Sequence, residues 1–235
     1  MIYQKYIMLC FVFYLFKESL EEAIKTFPTV ETQIFQDGDI ILGGLFPVHK
    51  YNSSAPGSCG GIREQASIQR VEAMIYAIDQ INRDKTILPG VKLGFKILDY
   101  CTSDVVALNQ AVKFLPTSPF ARELSKKPQQ TCKSEDTTTC VPAVIGGYSS
   151  LVSMQVASLL RLFKIPQVSY GSTSALLSNK NRFPYFFRTV PPDQHQTKAM
   201  ISLLTQFNVT YIQTISTKGS YGTEGMTKLF FYDIY

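Results

Sequence analysis

Short hydroxyl side chains cluster at two places in the chain, Tyr148-Ser149-Ser150 and Gly171-Ser172-Thr173-Ser174, each directly after an apolar run. Where such a run is a strand and the hydroxyls lead into a helix, free backbone N–H groups and hydroxyls together form a cradle for a carboxylate or phosphate. Capping is the ordinary role of Ser and Thr at a helix start. Two clusters of one kind also fit a shared anion. Arg70 is the best single cationic candidate, because it lies early on a helical pattern and off its apolar stripe, where an anionic partner would be favoured. A surface ion pair is its plainer reading. Asp193 suits a helix start or an ammonium group, and Tyr221, between Gly219-Ser220 and Gly222, suits a turn or a wall against a ligand. No nucleophile elbow, phosphate loop, H-E-x-x-H helix or dinucleotide fingerprint occurs. Ser150 with His195 is at best half a triad with no third member. The residues therefore point to binding without catalysis and without a cofactor.

The elements that must position these groups alternate. From residue 37 onward, β-branched runs alternate with helical patterns, which predicts an α/β fold with a parallel sheet and helices on its faces. Strands are expected at 40–46, 91–98, 141–147, 165–170, 185–190 and 210–217. The first long helix is marked by Ile68, Val71, Met74, Ile75, Ile78 and Ile81 at helical spacing. Further helices are expected at 105–114 and 151–163, with a helical turn from Thr173. Pro191-Pro192-Asp193 opens another that runs to about Phe207, Asp193 accepting the free amides. Residues 116–139 carry no periodicity and read as a surface excursion. A second unit is expected to start near Val209 and to be incomplete at Tyr235.

Lys5, the apolar stretch 7–16 and the polar residues after it have the layout of a secretory signal peptide, placed at 1–23. Without Cys10, the cysteines are Cys59, Cys101, Cys132 and Cys140, an even set that suits an oxidising compartment and allows three pairings. Their spacing, with only His49 and His195 as imidazoles, argues against a zinc site. The sequons at Asn52 and Asn208 fit the same compartment as glycosylation sites. The net charge of +5 is spread along the chain without basic runs, which argues against a nucleic-acid partner.

GDIILGGLFPVHK (38–50), CGGIREQASIQRVEAMIYAIDQINRD (59–84) and LPGVKLGFKILDYC (88–101) resemble the extracellular domain of metabotropic glutamate receptors, class C G-protein-coupled receptors. So do VIGGYSSLVSMQVASLLRLFKIPQVSYGSTSALLS (144–178) and FFRTVPPDQHQTKAM (186–200). The resemblance implies a doubly wound, periplasmic-binding-protein-like type I lobe of a two-lobed Venus flytrap that closes on glutamate or a similar amino acid. Residues 38–208 would be its first lobe and 209–235 the start of the second, with membrane attachment only through segments beyond Tyr235. It implies that Ser150 and Thr173 hold the α-carboxylate, aided by Ser149 and Ser172. Asp193 and Tyr221 would approach the α-ammonium, and Arg70 would pair with the side-chain carboxylate. It also implies a Cys59–Cys101 disulfide, and a homodimer with Cys132 bridging the subunits. A Cys132–Cys140 pair within the chain is the alternative. Ala66 departs from the family, which has Tyr or Arg there touching the distal carboxylate. The competing expectation is a secreted fragment that serves as a dimerisation or interaction module without a ligand.

Overall fold

The structure, a computed structural model, describes residues 33–55, 58–64, 66–115, 141–216 and 222. The proposed signal peptide, Cys132, Cys140 and Tyr221 lie outside the described residues. Strand β1 spans Gln33–Gln36, β2 Ile40–Phe46, β3 His49–Tyr51 and β4 Cys59–Ile62. They are followed by α1 (Ser67–Arg83), β5 (Leu93–Asp99) and α2 (Asp104–Val112). Then come β6 (Val144–Gly146), α3 (Ser150–Leu160), β7 (Gln167–Ser169), β8 (Phe186–Arg188) and α4 (Asp193–Gln206).

Six strands form one sheet in the order β1-β5-β2-β6-β7-β8, and all pairs are parallel except β1 with β5. Strand β2 is central because both of its faces are apolar. Ile41 and Leu45 join Val106, Ala107, Val152, Val156 and Leu160 under α2 and α3. On the other face, Phe46 joins Val71, Met74 and Ile78 of α1 with Phe95 and Ile97 of β5. Helices therefore cover both sheet faces, the doubly wound arrangement. Gly43 and Gly44 serve this packing: a Cβ on Gly43 would lie 2.9 Å from Val141 and 3.1 Å from Phe114, and one on Gly44 3.0 Å from the Met74 sulfur.

The alternation expected from the sequence is present, with β2 at the expected residues and the later strands shorter than their apolar runs. The expected strand at 210–217 is not formed over its described part, 210–216, which carries no regular secondary structure and is largely exposed. A strand needs a neighbour to close its ladder, and none of the six described sheet strands lies against it. Strand β1 and the β3–β4 hairpin were not anticipated. Asp193 is the first residue of α4 rather than its cap: Pro192 occupies the cap, and the Asp193 N–H donates to the Thr173 carbonyl at 2.8 Å. That bond spans two loops, so local capping rules could not anticipate it.

Cys59 of β4 and Cys101, just after β5, form a disulfide with their Cα atoms 5.3 Å apart, the pairing that the resemblance implies. It closes a ring across a sequence separation of 42. Replacing both cysteines with serine is expected to lower unfolding free energy by about 2–4 kcal/mol, read from urea unfolding with midpoint and slope fitted together, because the freed denatured chain exposes more surface.

Candidate functional site

The order of the sheet selects a place for ligand. The chain leaves β2 through α1 to β5 on one side, then crosses back through α2 to β6 on the other. The carboxyl ends of β2 and β6 therefore flank the switch point, where open α/β sheets leave a crevice. Tyr148 and Ser149 follow β6 there, and the segment after β2 leads through the hairpin to Arg63 and α1.

The two hydroxyl loops meet at this edge. Ser149 caps α3, its Oγ accepting the Val152 N–H at 3.3 Å. Ser150 is buried, and its Oγ accepts the Ser174 N–H at 3.1 Å, which ties the loop after β6 to the loop after β7. A hydroxyl has one hydrogen and two lone pairs, so accepting an amide leaves each of these serines an O–H to donate. Thr173 is half-buried, and neither its hydroxyl nor its amide takes a partner among the described residues. Ser172 differs: its side chain is fully buried and turns inward, 2.6 Å from Ser153 Oγ and 3.1 Å from the Gly147 carbonyl. The structure thus brings Ser149, Ser150 and Thr173 to the rim and places the Ser172 hydroxyl beneath it.

Gly147 is the hub beneath the loops. Its carbonyl accepts from the hydroxyls of Ser153 at 3.0 Å, Ser169 at 2.7 Å and Ser172 at 3.1 Å. Its φ of +78° is left-handed, and a Cβ there would lie 2.3 Å from Ser153 Oγ. Gly147→Ala is expected to cost about 2–3 kcal/mol and to broaden the amide resonances of both loops, a pairing that thermal unfolding and NMR spectra would check.

Arg188 of β8 braces the second loop. Its Nη1 donates to the carbonyls of Ser172 at 3.1 Å and Ser174 at 2.9 Å, and its Nη2 donates to Ser178 Oγ. Partial burial lowers the affinity of this guanidinium for its proton, and the nearby Asp193 carboxylate acts the other way. Asp193 is half-buried and is held beside Thr173 by its own backbone.

Arg70 reaches the same edge from α1. Its guanidinium carbon lies 4.2 Å from the centroid of the Tyr148 ring and 5.6 Å from that of Tyr170, so it stacks between the tips of β6 and β7. Its Nη1 is buried with no hydrogen-bond partner among the described residues, and the buried hydroxyl of Tyr170 is equally alone. Buried polar groups are nearly always paired, so two orphans on side chains that stack against each other mark a place where a polar ligand group would be satisfied. Tyr170 also stacks on Phe46, with centroids 5.4 Å apart. Burial pushes the Tyr170 phenol well above the ordinary range and that of Tyr100 up to about 12, so both stay neutral and the local charge comes from arginine. The Tyr100 hydroxyl accepts the Tyr148 N–H at 3.3 Å.

Sequence reasoning selected Arg70 and the hydroxyl loops but not Tyr100, Tyr148, Tyr170 or Arg63. Both tyrosines that follow strands stand beside glycine or serine, and an aromatic at a strand tip next to a hydroxyl cluster was the available signal. Ala66, exposed at the amino end of α1, makes no side-chain cap and presents only a methyl group.

Residues 69–230 match the model of a family described as the receptor family ligand binding region. The chain is 48% identical over 199 residues to a metabotropic glutamate receptor of Drosophila melanogaster, a match that covers 82% of this chain and 20% of that protein. It is 43% identical over 196 residues to metabotropic glutamate receptor 8 of Mus musculus and of Homo sapiens, covering 81% of this chain and 21% of each relative. The chain therefore spans about a fifth of the length of these curated relatives. No helix among the described residues is long and apolar enough to cross a membrane. With a doubly wound sheet, two hydroxyl loops joined beside its switch point and a family match that takes in both loops, the chain belongs to the receptor family ligand binding region, with a periplasmic-binding-protein-like fold, and is similar to metabotropic glutamate receptors.

Proposed function

We propose that this chain carries the amino-acid-binding lobe of an extracellular, metabotropic-glutamate-type receptor and that its ligand is glutamate or a similar α-amino acid bearing a distal acid. The observation that carries this reading is the buried Arg70 Nη1, which has no partner among the described residues and whose guanidinium stacks on Tyr148, next in sequence to the serines that open α3. In this reading Ser150 and Thr173 donate hydroxyl hydrogens to the α-carboxylate, and Ser149 assists from the rim. Asp193, beside Thr173, and Tyr221 are the residues that approach the α-ammonium. Arg70 pairs with the distal carboxylate as a charge-assisted contact. Ser172, committed inward, holds Thr173 in place rather than touching ligand.

Residues 38–208 are the first lobe in this reading, and a second lobe begins at 209. The apolar residues Val105, Val112, Leu151 and Leu162, each about half exposed or more, support a homodimer through the α2–α3 side. Asn52 supports the glycosylation expectation by its place in the turn between β3 and β4, and Asn208 by its exposure.

Ligand-observed NMR titration of the 235-residue chain with L-glutamate tests the assignment. Ser150→Ala should weaken glutamate, glutamine and alanine alike, because the α-carboxylate is common to all three. Unchanged affinities in both Ser150→Ala and Arg70→Ala would overturn the reading.

A further inference from the structure

Tyr148 belongs to both ends of the proposed site. Its backbone is part of the hydroxyl loops: it immediately precedes Ser149 and Ser150, its N–H donates to the Tyr100 hydroxyl at 3.3 Å, and its carbonyl accepts from Ser172 Oγ at 3.4 Å. Its ring serves the other end, with the Arg70 guanidinium carbon 4.2 Å from the centroid. The Tyr170 ring stands 6.2 Å away, tilted by 30°, and half-buries the pair further.

Gly171 limits where the Tyr148 ring can stand. A Cβ at position 171 would lie 2.5 Å from Tyr148 Cδ2 and 2.9 Å from its Cε2, so any other residue there displaces the ring. The backbone does not demand glycine at this position: the left-handed glycines among the described residues are Gly90, Gly146 and Gly147. The glycine is therefore explained by the aromatic ring it accommodates. The ring is seated against the loop after β7 and carries the Arg70 guanidinium on its face. Arginine has many rotamers, and a stacking partner that cannot move leaves few of them open. One rigid residue thus sets how far the guanidinium stands from the serines that open α3. In a site of fixed length, one methylene more or fewer in the ligand changes affinity by about tenfold or more.

We propose that Tyr148 is a positioning residue that determines specificity: it sets the span between the hydroxyl loops and Arg70 and so selects the length of the acidic amino acid that the site accepts. This inference rests on the amino-acid-binding reading above and deepens it, from any side chain bearing a distal acid to one of a single length.

Ligand-observed NMR on the 235-residue chain tests it, with L-aspartate, L-glutamate and L-2-aminoadipate as a series of increasing length and L-alanine as the ligand without a distal acid. The parent chain should favour one acid over the other two by about tenfold or more. Tyr148→Ala should compress that preference to about threefold and leave alanine within about twofold of the parent. Tyr148→Phe, which keeps the ring, should restore the preference, and Gly171→Ala, which pushes the ring aside, should compress it. A merely structural role for Tyr148 would weaken all four ligands alike in Tyr148→Ala, and that result would overturn the inference. So would a parent chain indifferent to length, or the parental preference retained in Tyr148→Ala while Arg70→Ala and Ser150→Ala are impaired; each of these leaves the amino-acid reading standing. Parental binding in both Arg70→Ala and Ser150→Ala would overturn the amino-acid reading and this inference with it.

Discussion

Arg70→Ala is expected to weaken glutamate binding by about ten- to a hundredfold and to leave alanine binding within about twofold. A charge-assisted hydrogen bond contributes about 1.5–3 kcal/mol, and tenfold in affinity corresponds to about 1.4 kcal/mol. The upper end applies here because the guanidinium is partly enclosed by the rings of Tyr148 and Tyr170, and its buried Nη1 has no partner among the described residues to return to. Removing it should not unfold the lobe: Val71, Met74 and Ile78 carry the packing of α1, and Arg70 lies beside that stripe. Circular dichroism at unchanged melting temperature together with a lost glutamate titration would be the expected pair of results. Glutamate affinity equal to that of the parent chain would remove Arg70 from the site.

Asp99→Ala is expected to be the most damaging single change to stability, at about 3–5 kcal/mol. The Asp99 carboxylate is buried at the end of β5, 3% exposed, and gathers donors from two segments. Its Oδ1 accepts the Val48 N–H at 2.8 Å and the Cys101 N–H at 2.9 Å, and its Oδ2 accepts the His49 N–H at 3.2 Å and contacts His49 Nδ1. Alanine would strand these donors where water reaches them poorly, and each buried donor left unsatisfied costs about 1–3 kcal/mol. The loss has a functional consequence as well. Asp99 holds the start of the hairpin that delivers Arg63 and α1 to the switch point, so surviving folded molecules should bind glutamate more weakly. Urea unfolding measures the first effect, and a titration below the transition measures the second. A stability within about 1 kcal/mol of the parent would show that the backbone amides find other partners.

Elements were legible where the signal is local. Val71 to Ile81 repeat at helical spacing because one stripe of α1 meets the sheet, whereas Ile68, counted in the same pattern, is exposed; the apolar run Ile40–Phe46 reads as a central strand because both its faces are covered. Strand β1 escaped because Gln33, Ile34, Phe35 and Gln36 are mostly exposed and pair along only one edge, so no face imposes alternation on them. The β3–β4 hairpin escaped for a related reason: its three- and four-residue strands are held by the Cys59–Cys101 bond and by Asp99, both distant in sequence.

The sequence by itself determined the α/β alternation, the two hydroxyl loops and the choice of Arg70, because periodicity, capping chemistry and unpaired charge are properties of neighbouring residues. Family resemblance added the Cys59–Cys101 pairing. Tertiary structure alone decided which serine hydroxyls are available, with Ser172 turned toward Gly147 and Ser150 joined to Ser174. It also decided that Arg63, Arg70, Tyr100, Tyr148 and Tyr170 share one corner. These groups come from five segments, and only the crossover that sets β6 beside β2 brings them together, an arrangement stabilised by burial across the whole sheet that no local pattern encodes.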